Sequence, residues 1–352
     1  MAVADEISAR RRSPARWAIR LLPGLAALVI GYRVLAARRS ELSGAAAALG
    51  HLRAPWVAAA ALAELGSLAA YAALQRRLLA SAEVTVARAP MLGITMAGYA
   101  IQNSLPAGPA WSAVFAFREL RRRGAGAVAV GWMLVLASVL SDVGLLALGL
   151  AGLILAQGHD AGFGVAEVVL SLAAVVGAVV AVIRFGPRSE RGLALATSLL
   201  RWFRRLARRP PGDPQESVRS AATRLRAVRP TRSDWARAST FALANWVSDC
   251  ACLALAFGAV GAPVPWRGLL LAYGTGQLAA NLPITPGGLG VVEGSLSIAL
   301  VFYGGTERTT VAAVLLYRII SFWCLLPVGW ASWAVLRGIN RRRRPPATEG
   351  AA

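Results

Sequence analysis

The chain has 352 residues, 57% of them hydrophobic and only 16% charged, and a mean hydropathy of +0.55. That balance excludes an ordinary water-soluble domain and describes a polytopic membrane protein. The net charge of +21 comes from basic residues that are all arginine and is concentrated in segments between apolar runs. This is the pattern of positive-inside topology and anionic-lipid contact, so no nucleic-acid partner is expected.

Residues 1–16 form a polar tail with Arg10, Arg11 and Arg12. Trp17 to Ala36 is a first apolar segment, read as a retained helix with Arg20 and Arg33 snorkelling to opposite interfaces. A signal peptide is the competing reading, because the strictly apolar part from Leu21 to Ile30 is short. A second span, Pro55 to Leu79, contains Glu64 and ends near Arg76 and Arg77. Met91 to Leu120 is apolar but interrupted by Asn103, Pro106, Gly108 and Pro109. Ala125 to Ala156 is a long span with Asp142 near its middle, and a further span covers residues 163–183. Residues 184–234 are the long basic hydrophilic stretch. Within it Gly192 to Leu206 reads either as a membrane-surface helix or as a solvated loop. Trp235 to Phe257 is a span containing Asp249, and Thr309 to Leu336 is the last, containing Arg318. Residues 337–352 form a basic tail.

Between the last two spans, Gly268 to Tyr303 is apolar but broken by Asn281, Pro283, Thr285, Pro286, Gly287, Gly288 and Gly290. The prolines remove backbone donors, and the glycines allow close approach to the chain. One helix is expected to end near Asn281 and another to begin near Gly287. Irregular backbone at membrane depth survives only when buried in protein or lining a wet cavity. An extramembrane loop between two short spans is the alternative.

A shift of about 180 residues aligns the two broken regions. Pro106 and Gly108 then fall on Pro286 and Gly288, Gly124 on Gly304, Ser141 on Ser321, and Leu145-Leu146 on Leu325-Leu326; one residue less sets Trp56 against Trp235. The expected fold is an all-α polytopic membrane protein built as an inverted repeat of span, broken or re-entrant helix pair, span. The repeats cover residues 55–156 and 235–336 of a membrane domain spanning 17–336. The half-helix from Gly268 to Asn281 is about 14 residues, roughly 21 Å at 1.5 Å per residue, against a hydrocarbon core of about 30 Å. Arginine placement puts both tails and the 184–234 loop on the cytoplasmic side of the cell membrane. It does not distinguish re-entrant pairs from full crossings.

Soluble-type catalysis has no motif here, no Cys/His metal spacing occurs, and no catalytic residue, metal or cofactor is expected. Cys250, Cys252 and Cys324 read as packed thiols. Charges inside spans carry the functional signal, because Asp or Arg at a helix centre costs about 2.5–3.5 kcal/mol on insertion scales. Asp142, Asp249, Glu293 and Arg318 are therefore expected to face the protein interior, with Glu64 beside them. Helices restarting at Gly287 and near Ala110 would point backbone N–H groups at an anionic headgroup. The substrate-binding set is Asn281, Thr285, Pro286, Gly287, Gly288, Gly290, Glu293, Arg318, Asp142 and Asp249, joined by Asn103, Pro106 and Gly108. A buried structural ion pair is the competing reading of Arg318.

The run from Leu282 to Gly294 (LPITPGGLGVVEG) resembles the signature of flippase-like proteins related to the transmembrane domain of lysylphosphatidylglycerol synthases. The Trp56 region, Gln75 to Leu79, and Tyr317-Arg318 extend the likeness. In the full synthases this membrane part precedes a soluble aminoacyl-transfer domain and moves the modified lipid between leaflets. Here the chain ends after the last span, so the resemblance implies lipid translocation rather than lipid aminoacylation. The implied partner is a membrane lipid with an anionic headgroup. A membrane-embedded enzyme or an accessory subunit of lipid modification or envelope assembly is the alternative function. A homo-oligomer or an envelope-enzyme partner stays open.

Overall fold

The computed structural model describes residues 52–105, 107–157, 230–280 and 286–342, with isolated positions at 50, 216, 219–220, 222–223 and 228. The expected first span, the 163–183 span, Gly192 to Leu206, the N-terminal tail and residues 343–352 lie outside the described residues, while 337–342, expected as the start of the C-terminal tail, continue the last helix to Arg342.

All regular structure among the described residues is helical. Helix α1 is Ala54–Ser81, α2 Arg88–Ser104, α3 Gly108–Arg122 and α4 Ala127–Gln157; α5 is Arg232–Val260, α6 Trp266–Ala280, α7 Val291–Phe302, α8 Glu307–Arg318 and α9 Leu325–Arg342. Four helices are long and apolar enough to cross a bilayer: Ala54–Ser81, Ala127–Ala156, Arg232–Val260 and the continuous Glu307–Asn340 rod formed by α8 and α9. The protein is a multi-pass membrane protein.

The expected helix start at Gly287 is displaced. Pro286–Gly288 is a short 3₁₀ turn, Gly287 and Gly288 have φ of 63° and 68°, and α7 begins only at Val291. Three left-handed residues in five, Gly290 being the third at φ 82°, cannot propagate an α-helix. The last span also departs from a plain helix. Ile319–Trp323 is a π turn in which the Cys324 N–H reaches back to the Ile319 carbonyl at 2.8 Å. A single π turn inside an α-helix re-aims the side chains on either side of it.

The most extensive helix contact joins α1 and α5, and they run antiparallel. The Arg53 N–H donates to the Ala259 carbonyl (2.9 Å) at one end. Ser67 Oγ donates to Asn245 Oδ1 (3.2 Å) near the middle, and Arg77 pairs with Asp234 at the other end. Asp234 also closes a capping box with Thr231 at the start of α5. Lipid tails give apolar helices no reason to associate, so close backbone approach through small residues holds such pairs. Ala60 on α1 and Ala238, Ala242, Ala256 and Ala259 on α5 are all nearly fully buried, while Leu62, Ile298, Phe302 and Val335 turn outward.

Positions about 180 residues apart share backbone geometry. Ala107 and Gly287 are both left-handed, at φ 54° and 63°. Gly124 and Gly304 end α3 and α7 alike: each has positive φ, and the next N–H donates to the carbonyl of a buried leucine, Leu120 at 3.2 Å and Leu300 at 2.9 Å. Long contacts follow the same exchange, with α2 lying on α9 and α6 lying on α4. A Cβ at Gly152 would collide with the backbone at Leu270 and Leu271, and one at Gly329 with the Met96 carbonyl.

Candidate functional site

The two breaks meet. A Cβ added to Gly287 would strike the Phe322 ring and sit 3.4 Å from the Asn103 carbonyl, so the turn after α6 lies against both the end of α2 and the π turn. Asn103 is held by donating its Nδ2 to the Tyr99 carbonyl (2.9 Å), and Tyr99 Oη donates to the Ser321 carbonyl (2.5 Å).

Arg318, 7% exposed, is the cation at this junction. Its Nε donates to Glu293 Oε1 at 2.6 Å, its Nη2 donates to the Gly287 carbonyl at 2.9 Å, and its guanidinium lies 4.6 Å from the Phe322 ring centroid. Glu293 uses its other oxygen to accept the Gly290 N–H at 2.6 Å. The carboxylate thus caps the positive end of α7 and neutralises Arg318 together. Of the groups expected at the site, the Gly290 amide faces Glu293, and Gly287 offers Arg318 a carbonyl oxygen rather than an amide.

A second polar cluster lies deeper between α1, α5, α6 and α8. Tyr273 Oη donates to Asp249 Oδ2 at 2.6 Å; Gln277 Nε2 points at the same oxygen at 3.4 Å and at Tyr317 Oη at 3.0 Å. Glu64, 4% exposed, faces Asp249 from α1. Arg318 lies within electrostatic reach of Asp249, so the two clusters adjoin through the consecutive residues Tyr317 and Arg318.

Gly287, Gly288, Gly290, Glu293, Arg318, Asn103 and Gly108 therefore gather at or beside the junction, and Asp249 borders it. Pro286 contributes backbone to the 3₁₀ turn. Asp142 does not join them: it is exposed on α4, with Tyr71 as its near neighbour. Asn281, Thr285 and Pro106 lie outside the described residues. Sequence reasoning missed Tyr273, Gln277, Tyr317, Tyr99 and Phe322. The four-residue spacing of Tyr273 and Gln277 on a mostly apolar helix was the available signal, since it sets two polar groups on one face. Among the described residues no cluster of three or more His, Cys, Asp and Glu could hold a metal. A depression of about 360 Å³ lined by Trp56, Gly258 and Trp266 opens where α6 begins, away from the junction where α6 ends.

A family model described as "Lysylphosphatidylglycerol synthase TM region" matches residues 20–329. No curated protein matches the chain. The match covers nearly the whole chain, and the chain belongs to this family.

Proposed function

We propose that this member of the lysylphosphatidylglycerol synthase TM-region family moves a lipid, or a lipid-linked anionic substrate, across the cell membrane. The observation that carries the reading is the junction itself: two broken helix pairs meet around a buried arginine whose counter-ion, among the described residues, is the Glu293 carboxylate. A phosphate or carboxylate headgroup offers Arg318 the same oxygen geometry that Glu293 supplies. In this mechanism the headgroup displaces Glu293 from Arg318, and the acyl chains stay in the lipid.

The architecture proposed with this function is an inverted repeat, residues 55–156 and 235–336, with α2–α3 and α6–α7 as re-entrant pairs. The antiparallel α1 and α5 support it, because they open the two repeats and point opposite ways. The lengths support it too: α6 has 15 residues and α7 has 12, roughly 23 Å and 18 Å against about 30 Å of hydrocarbon. Two such repeats related by an axis in the membrane plane give a pivot for alternating access.

Mass spectrometry of lipids retained by the purified chain tests the headgroup assignment. Anionic lipids are expected to be enriched over their share of the source membrane, and Arg318→Gln is expected to abolish the enrichment. A retained pool matching the bulk membrane in wild type would refute it.

A further inference from the structure

We propose that the Glu64 and Asp249 carboxyl groups form a proton-binding site inside the membrane, with one exchangeable proton held between them. The inference rests on the transport reading only for its use, which is to couple proton movement to the Arg318 junction.

Three observations carry it. First, the antiparallel register fixed by Arg53 to Ala259 and Ser67 to Asn245 sets Glu64 on α1 level with Asp249 on α5, and the two carboxyl groups face each other. Second, each leaves a buried oxygen without a hydrogen-bond partner among the described residues: Glu64 Oε2 and Asp249 Oδ1. The other Asp249 oxygen is already served by Tyr273 and Gln277. Third, among the described residues no cation is in contact with the pair. The titratable groups facing it are Tyr273 from α6, Tyr317 and Arg318 from α8, Tyr99 from α2, and Cys250 and Cys252 from α5 itself. Arg318 is the one cation among them, and its hydrogen bonds go to Glu293 and Gly287.

Two ionised carboxylates are acceptors only and repel in a low-dielectric interior. One proton converts two facing acceptors into a donor and an acceptor and removes a charge. Uptake is the simple step of carboxylate plus hydron giving carboxyl, and release is its reverse. The bound proton also sets what Arg318 feels. With the proton absent, the pair gains a negative charge within electrostatic reach of Arg318, which competes with Glu293 and with a headgroup. With it present, that competition is removed. The Tyr273, Asp249, Gln277, Tyr317 chain of hydrogen bonds ties the two clusters mechanically.

Infrared difference spectroscopy on the purified full chain in detergent, between acidic and alkaline buffer in H2O and D2O, reads the proton directly. Wild type is expected to show a protonated-carboxyl C=O band that shifts in D2O. That band is expected to disappear in Glu64→Gln and in Asp249→Asn, and to persist in Asp142→Asn. Circular dichroism on each near-isosteric variant establishes that it is folded, and either acid-pair variant suffices if the other is not. Absence of the band in wild type, or its survival in a folded acid-pair variant, overturns the proposal. A rise in thermal midpoint with sodium ion that both acid-pair variants lose would also overturn it, by making the site a metal-cation site. No lipid movement enters this measurement, so its failure is distinct from failure of the transport reading.

Discussion

Arg318 makes two charge-assisted hydrogen bonds and one ring contact while 7% exposed, and each has a separate effect. The bond to Glu293 neutralises the charge, the bond to Gly287 fixes the turn after α6, and Phe322 covers the guanidinium face. Removing the arginine strands a carboxylate and frees the turn. Arg318→Gln is therefore expected to lose stability, by less than the about 3–5 kcal/mol that breaking a fully buried pair costs, because the Glu293 side chain keeps 20% exposure to solvent. The double variant Arg318→Gln, Glu293→Gln should recover part of the loss, because no uncompensated charge remains. Thermal unfolding of the three proteins in one detergent checks this; equal losses in the single and double variants would show that the ion pair is not the cause. At this scale the sequence was informative about identity and silent about pairing. Arg318 and Glu293 stand out as charges in apolar runs, but only the fold shows that each answers the other. Asp142 looked equivalent by the same criterion, and helical phase turned it to an exposed face.

The helices divide into those legible from pattern and those decided by packing. The span read at Pro55 to Leu79 is observed as Ala54–Ser81, and that read at Trp235 to Phe257 as Arg232–Val260, because long apolar runs bounded by arginine leave few alternatives. The π turn at Ile319–Trp323 had one sequence signal, Pro327, which offers no N–H to the Trp323 carbonyl four residues earlier; its exact place was not legible, because the Tyr99 hydroxyl that reaches the Ser321 carbonyl comes from a helix far away in the chain. Glycine at the α2–α9 and α4–α6 crossings is required by approach, not by φ. Leucine at Gly329 or Gly152 would meet backbone rather than a yielding side chain, so each is expected to destabilise the fold by about 1–3 kcal/mol or more. Leucine at Gly131, with open space around it, is the matched control, and comparable loss there would show that crowding at the crossings is not the cause. The re-entrant arrangement of α6 and α7 is tested by a spin label at Leu289. Intermediate depth in a bilayer is expected, and aqueous accessibility equal to that of a surface loop would favour two full crossings.

For the whole molecule, the proposed organisation is two antiparallel halves about the α1–α5 seam, with both tails and the 184–234 loop cytoplasmic. Arginine asymmetry motivates the orientation. A cysteine at Gly212 is expected to resist membrane-impermeant thiol reagents in intact cells and to react after permeabilisation; reaction in intact cells would reverse the topology. The central claim concerns activity, and leaflet exchange tests it most directly. Sealed vesicles carrying the full chain and a fluorescent anionic phospholipid report translocation when a membrane-impermeant reductant bleaches only the outer leaflet. The expected result is bleaching beyond the outer-leaflet fraction in wild type, falling to the protein-free level in the folded double variant Arg318→Gln, Glu293→Gln, with no new lipid product formed in detergent. Bleaching that stops at the outer leaflet in wild type, together with conversion of the labelled lipid in detergent, would contradict translocation and make the protein a membrane-embedded enzyme.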